Sequence, residues 1–98
     1  MTPEKSAQAS TIIDNHRVRV TEWRLPPGTA TGHHRHELDY VVVPMTTGTL
    51  VIKDAEGDRD NNLIAGVPYY RDSGAEHNVI NDGGQEIVFI EIETKSPE

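Results

Sequence analysis

The sequence predicts an all-β domain, a sandwich or barrel of short strands, and three observations carry that expectation. β-Branched runs alternate apolar with polar residues. Gly, Pro, Asn and Asp interrupt them at short intervals. No segment sustains the ~3.6-residue periodicity of a helix. Hydrophobic residues make up 35% of a 98-residue chain. That is little for a thick helical core but enough for a sheet with one inward face, and a chain of this length forms one domain.

Residues 1–10 are polar, with Pro3 and two serines, and read as a flexible N-terminal arm ahead of a domain spanning 11–98. Residues 11–13 are placed to pair at a sheet edge. Residues 17–25 alternate around Val18, Val20, Trp23 and Leu25 and form the first full strand. Pro26, Pro27 and Gly28 end it, since proline lacks the N–H a ladder needs and glycine permits a turn. Residues 38–43 and 49–53 are further strands, separated by a break from Pro44 to Gly48. Residues 54–62 read as an acidic loop, followed by a short segment at 63–65. Residues 69–71 lie between Pro68 and the turn Asp72-Ser73-Gly74. Residues 77–81 and 86–93 are strands around the turn Asp82-Gly83-Gly84. In the last strand Val88, Ile90 and Ile92 share one side, and Ile87 and Phe89 the other.

The net charge is −7. Acidic residues gather at Asp54, Glu56, Asp58 and Asp60, and again at Glu86, Glu91 and Glu93. With no basic patch, nucleic-acid binding is not expected. No apolar run reaches the length of a membrane span. Cysteine is absent, so any metal must be held by nitrogen and oxygen. The polar N-terminus lacks the apolar stretch of a signal peptide, and the expected location is cytoplasmic. The small core and exposed sheet edges suggest a homodimer, with Trp23 or residues 11–13 at the contact.

The chemistry concentrates in the histidines. His34 and His36 are spaced so that, on a strand, both imidazoles face one way. His77 begins another β run. Neutral imidazole is the commonest transition-metal ligand, and three of them leave positions open for water or substrate. By itself, H-x-H fits a surface pair or a substrate hydrogen bond as well. His33 has the wrong parity to join the other two, and His16 sits in a polar turn.

The stretches GTATGHHRHELDYVVVPMTTG and GVPYYRDSGAEHNVIN resemble the two motifs of the cupin superfamily. Gly28, His34, His36 and, approximately, Gly48 match the first; Gly66, Gly74, His77 and Asn81 match the second. The resemblance spans roughly residues 18–92. The longer pattern WRLPPG…HHRHELDYVVVP…TGTL…EHNVIN is also similar to the small stand-alone cupins known as β-alanine degradation proteins. The resemblance implies a single-domain jelly-roll barrel holding one divalent transition metal ion (Fe, Zn, Ni, Mn or Cu) through His34, His36 and His77.

Two positions depart from the motifs. Asp72 stands for the second motif's proline, a change within a turn. The glutamate of the first motif is missing; the three-residue spacing puts Tyr40 at its position and the four-residue spacing Val41, and parity favours Tyr40. Asp39, the nearest carboxylate, points the other way unless a bulge re-aims it. A site of three neutral imidazoles leaves the metal's charge uncancelled and makes it a stronger Lewis acid. Tyr40 is then the candidate catalytic residue: it could coordinate as phenolate, act as acid or base, hydrogen-bond a ligand, or simply fill the barrel. Asn81 reads as a structural hydrogen-bonding residue. The resemblance implies an enzyme acting on a small organic acid, of oxygenase or isomerase/lyase type. The alternative is a non-catalytic binding or accessory domain. Arg24 and Arg71 are candidate anchors for an anionic substrate, while Arg35 points away.

Overall fold

The computed structural model describes residues 5–95. Eleven strands and no helix occur among them. In chain order they are β1 (Lys5–Ser6), β2 (Gln8–Asp14), β3 (Val18–Leu25), β4 (Thr29–Ala30), β5 (His34–Arg35) and β6 (Asp39–Pro44). There follow β7 (Gly48–Asp54), β8 (Gly57–Leu63), β9 (Tyr69–Arg71), β10 (Glu76–Ile80) and β11 (Ile87–Thr94). One sheet runs β1-β4-β10-β7-β8, with β5 also paired to β10; the other runs β2-β3-β11-β6-β9. This is the jelly-roll arrangement, and it is all-β as the turn-punctuated alternation predicts.

The core lies between the sheets and follows strand parity. Leu25 of β3, Val42 of β6, Leu50 and Ile52 of β7, and Ile87 and Phe89 of β11 all point inward. Most of their neighbours along each strand are more exposed, the period-two pattern of a half-buried sheet, although Val88 on the other face of β11 is also buried. β11 is the central strand of its sheet. It pairs with β3 from Ile87↔Leu25 to Thr94↔Val18, and with β6 from Phe89↔Pro44 to Thr94↔Asp39.

Two expectations change. Residues 54–62 are not a loop: β8 pairs with β7 from Gly48↔Leu63 to Asp54↔Gly57. The Asp54 carboxylate accepts the Glu56 N–H at 2.9 Å, and Gly57 takes φ 113°, which closes a tight hairpin. Inward Arg59 and Asn61 hid the alternation, because polar residues there carry no apolar signal. In the N-terminal segment, residues 1–4 lie outside the described residues, but the chain is paired from Lys5. β1 runs parallel to β4, and β2 lies against β3 with a register shift between Thr11 and Ile13. Every residue of β2 is exposed, including Ile12 at 55% and Ile13 at 46%. It is held by its ladder with no core beneath it, so its composition reads as unstructured. Its edge position matches the expectation for residues 11–13.

The motif residues outside the histidines have local causes. Asn81 is fully buried. Its amide donates to the Leu25 carbonyl at 2.7 Å and the Gln85 carbonyl at 2.8 Å, while its oxygen accepts the Gly83 N–H at 3.0 Å. One side chain thus ties the end of β3 to the turn before β11, as expected of a structural residue. Gly74 takes φ 95°, where a Cβ would be strained, and its N–H donates to the His36 carbonyl at 2.7 Å.

Candidate metal centre and adjoining cavity

The antiparallel pairing of β5 with β10 sets His77 opposite His34, and Glu76 opposite Arg35. His36 follows β5, with its N–H donating to the Ala75 carbonyl at 2.8 Å. His34, His36 and His77 each direct a ring nitrogen to a common region, all three within 4.8 Å of one another. His34 Nε2 and His36 Nε2 are 3.0 Å apart. Two donors that each stand ~2.1 Å from a shared ion at a right angle are separated by about that distance. His34 Nδ1 lies 2.8 Å from the Gly32 carbonyl, an acceptor only, so Nδ1 donates there and Nε2 is the nitrogen turned to the other rings. Burial, then the neighbouring His34, lowers both His36 and His77 to about 4. Both are therefore neutral near pH 7, the form that ligates. The donor set fits a divalent transition ion.

The other histidines are elsewhere. His33 Nε2 contacts the Glu76 carboxylate at 2.7 Å on the exposed face. His16 is exposed beyond β2.

Tyr40 of β6 is 2% exposed, and its ring stacks on His36 with centroids 4.0 Å apart. Parity aims it inward as expected. Burial, with the Glu91 carboxylate, raises its hydroxyl well above the usual phenol range. That direction favours the protonated phenol, whereas the sequence reading also allowed a phenolate. Asp39 points away and accepts the Ser73 N–H at 2.8 Å.

The residue that sequence reasoning missed is Glu91. In sequence it is one of an acidic group with Glu86 and Glu93, yet it is only 8% exposed. Glu91 continues the inward face of Ile87 and Phe89 on β11, and that parity was the available signal. Its Oε1 accepts the Trp23 indole N–H at 3.1 Å, and its Oε2 lies 3.9 Å from His36 Nε2. Trp23 also stacks on His34, with ring centroids 6.5 Å apart.

A small open cavity of about 40 Å³ adjoins the imidazole of His77. His77, Tyr40, Glu91, Tyr69, Arg59 and Arg71 line it above an apolar floor from the core. Of the two expected anchors, Arg71 is on its wall. Arg24 is on the outward face of β3, bonded to Glu22 at 2.9 Å and Glu86 at 3.3 Å. Its even parity on a strand whose odd positions face inward excludes it from the site.

A jelly roll with histidines from both motifs at one end of the barrel defines a cupin. No family model matches the chain. It is 52% identical over 95 residues to the β-alanine degradation protein BauB of Pseudomonas aeruginosa, a match covering 97% of this chain and 100% of that one. The chain belongs to the cupin superfamily, alongside that protein. A solved cupin domain from Bordetella pertussis superposes with a TM-score of 0.96 at 53% identity, over 98% of this chain and 100% of the other. An oxalate-binding protein of Thermotoga maritima is 30% identical over 69 residues, 70% of this chain and 55% of that protein.

The buried acid has a consequence for stability. Burial raises Glu91 from 4.5 to about 7, against the lowering effect of the Trp23 N–H. Between those values the folded chain holds a proton that the unfolded chain releases. The contribution of Glu91 is thus full below 4.5 and lost as pH rises through about 7. His36 and His77, lowered from 6.5 to about 4, contribute stability above 6.5 that is lost as pH falls through 4. Glu91→Gln keeps an acceptor for Trp23 but no charge. It should raise the melting temperature of metal-free protein at about pH 8, by ~4–8 °C per kcal/mol recovered, with little gain near pH 4.5. Thermal melts followed by circular dichroism across that range check this. An equal shift at both ends would mean that Glu91 does not carry the effect.

Proposed function

We propose that His34, His36 and His77 bind one divalent transition metal ion, and that the chain is an enzyme acting there on a small organic acid. The observation that carries this reading is the convergence of three ring nitrogens within 4.8 Å, beside a cavity that holds both arginine and carboxylate groups. When bound, such an ion acts as a Lewis acid toward a carboxylate or carbonyl, or brings substrate and dioxygen together, which spans isomerase/lyase and oxygenase chemistry. Tyr40 is the catalytic residue of this reading. Held protonated against His36, it donates its phenolic hydrogen to substrate at the cavity wall. Arg71 at the mouth favours an anion. The names of two relatives support small acids as the class: one is a β-alanine degradation protein, the other an oxalate-binding protein. The second name also favours the other reading, a domain that binds such an acid without turning it over.

No helix of the described residues is long and apolar enough to cross a membrane. We place the protein in the cytoplasm as a homodimer. The fully exposed edge strand β2, with Ile12 and Ile13 uncovered, supports the dimer. Light scattering should give the mass of two chains, and Ile13→Lys should shift it toward one.

Metal analysis of freshly purified protein should find about one ion per chain. His77→Ala should lose that stoichiometry while keeping its β-sheet circular dichroism, because the strands hold the barrel together without the ion. Undiminished metal in the variant would refute the ligand set.

Oxygen uptake and proton NMR against a panel of small acids separate the enzyme from the binding domain. For any acid turned over, Tyr40→Phe should slow turnover by about 100-fold, the usual scale for losing a hydrogen-bond donor to developing charge. Wild-type rates in that variant would reduce Tyr40 to packing.

A further inference from the structure

The cavity beside the imidazoles presents charged groups at two depths. At its mouth stand Arg59 of β8 and Arg71 of β9, both exposed yet on its wall. Strand parity turns them inward. Arg59, Asn61 and buried Leu63 share one face of β8, and Tyr69 and Arg71 share one face of β9. The two guanidiniums are not equivalent. Arg59 donates to the Asp54 carboxylate at 2.5 Å, which offsets its charge. Arg71 makes no ion pair among the described residues. Its guanidinium lies 5.0 Å from the centre of the Tyr69 ring, whose hydroxyl accepts a hydrogen bond from Asn61 at 3.0 Å. An unpaired guanidinium steadied on an aromatic face offers a planar fork of donors, which suits a carboxylate.

Glu91 supplies the second depth. Trp23 occupies its Oε1, while its Oε2 takes no hydrogen bond from the described residues and stands 3.9 Å from His36 Nε2. It is a buried acceptor beside the candidate metal ligands. The cavity therefore asks for an acceptor at its mouth and a donor at its depth.

We propose that the cavity binds a short hydroxycarboxylate, with its carboxylate on Arg71 and its hydroxyl directed to Glu91 Oε2 beside the three imidazoles. The assignment rests on the metal-centre reading above and narrows its substrate class. A simple alkanoate leaves Glu91 Oε2 without a donor. A neutral polyol leaves Arg71 without an anion. A dicarboxylate sets a second acceptor against Glu91 Oε2 and brings it no hydrogen to share. Glu91 thus acts as a specificity residue, and Arg71 as the anchor.

The test is calorimetric titration of the zinc-loaded full chain with glycolate, 3-hydroxypropionate and 4-hydroxybutyrate, against propionate and malonate. At least one hydroxy acid should bind about tenfold more tightly than propionate or malonate. Arg71→Gln should weaken that binding about tenfold or more, with zinc content unchanged. Glu91→Gln should narrow the preference for the hydroxy acid over propionate. Binding that survives Arg71→Gln, or a preference for malonate, would overturn the assignment while leaving the metal centre standing. Failure of the wild-type chain to take up zinc would overturn both.

Discussion

The pairing of β5 with β10 is the constraint on which the candidate site depends. His34 and His77 come from the two ends of the motif region, and only their antiparallel register brings the rings together. Two residues of β5 form too short a ladder to hold that register alone. It is extended on both sides by irregular bonds. Upstream, the Thr31 N–H donates to the Val79 carbonyl at 2.9 Å, and the Gly32 N–H to the Asn78 side chain at 3.0 Å. Downstream, the His36 N–H reaches Ala75, and Gly74 returns a bond to His36. A chain free to turn at Gly74 and bonded on both sides of β5 keeps three imidazoles aligned without a longer strand.

The opposite sheet contributes the chemistry that the histidines lack. Its central strand β11 puts Ile87 and Phe89 into the core and then, without changing face, Glu91 beside the site. A buried carboxylate carries a desolvation cost, and the single indole N–H from Trp23 offsets only part of it. Local rules of core composition are broken at this position. Tyr40 shows a related exchange. Where the superfamily's first motif places a carboxylate, this chain has an aromatic ring stacked on His36. The carboxylate near the centre comes instead from a strand at the far end of the sequence.

Charge in the cavity is arranged by depth. Guanidinium groups stand at the mouth, where solvation tolerates them, and the imidazoles and the shielded acid lie further in. Long arginine side chains from β8 and β9 reach the opening while their strands stay outside it. The wall made by the β7–β8 hairpin and by β9 therefore belongs as much to the site as the histidine motifs do.

The sequence by itself determined the fold class, because period-two alternation between Gly, Pro and Asn/Asp turns admits few other solutions. The positions of β3, β6, β7, β10 and β11 were legible to within a residue or two for the same reason. The three histidines were legible from spacing and from the resemblance to the superfamily's motifs, and the inward aim of Tyr40 from parity. Elsewhere the local pattern was silent or misleading. β2 pairs without burying anything, so it has no hydrophobic signature. In β8 the inward positions are Arg59 and Asn61, so it read as an acidic loop and concealed an arginine of the cavity. Glu91 looked like one more acid in a charged C-terminal run. Only the tertiary structure decided that it is buried, because burial depends on which sheet face the other strands cover. The choice of Arg71 over Arg24 had the same cause: a side chain's parity is local, but what its face looks onto is set by the packing of two sheets.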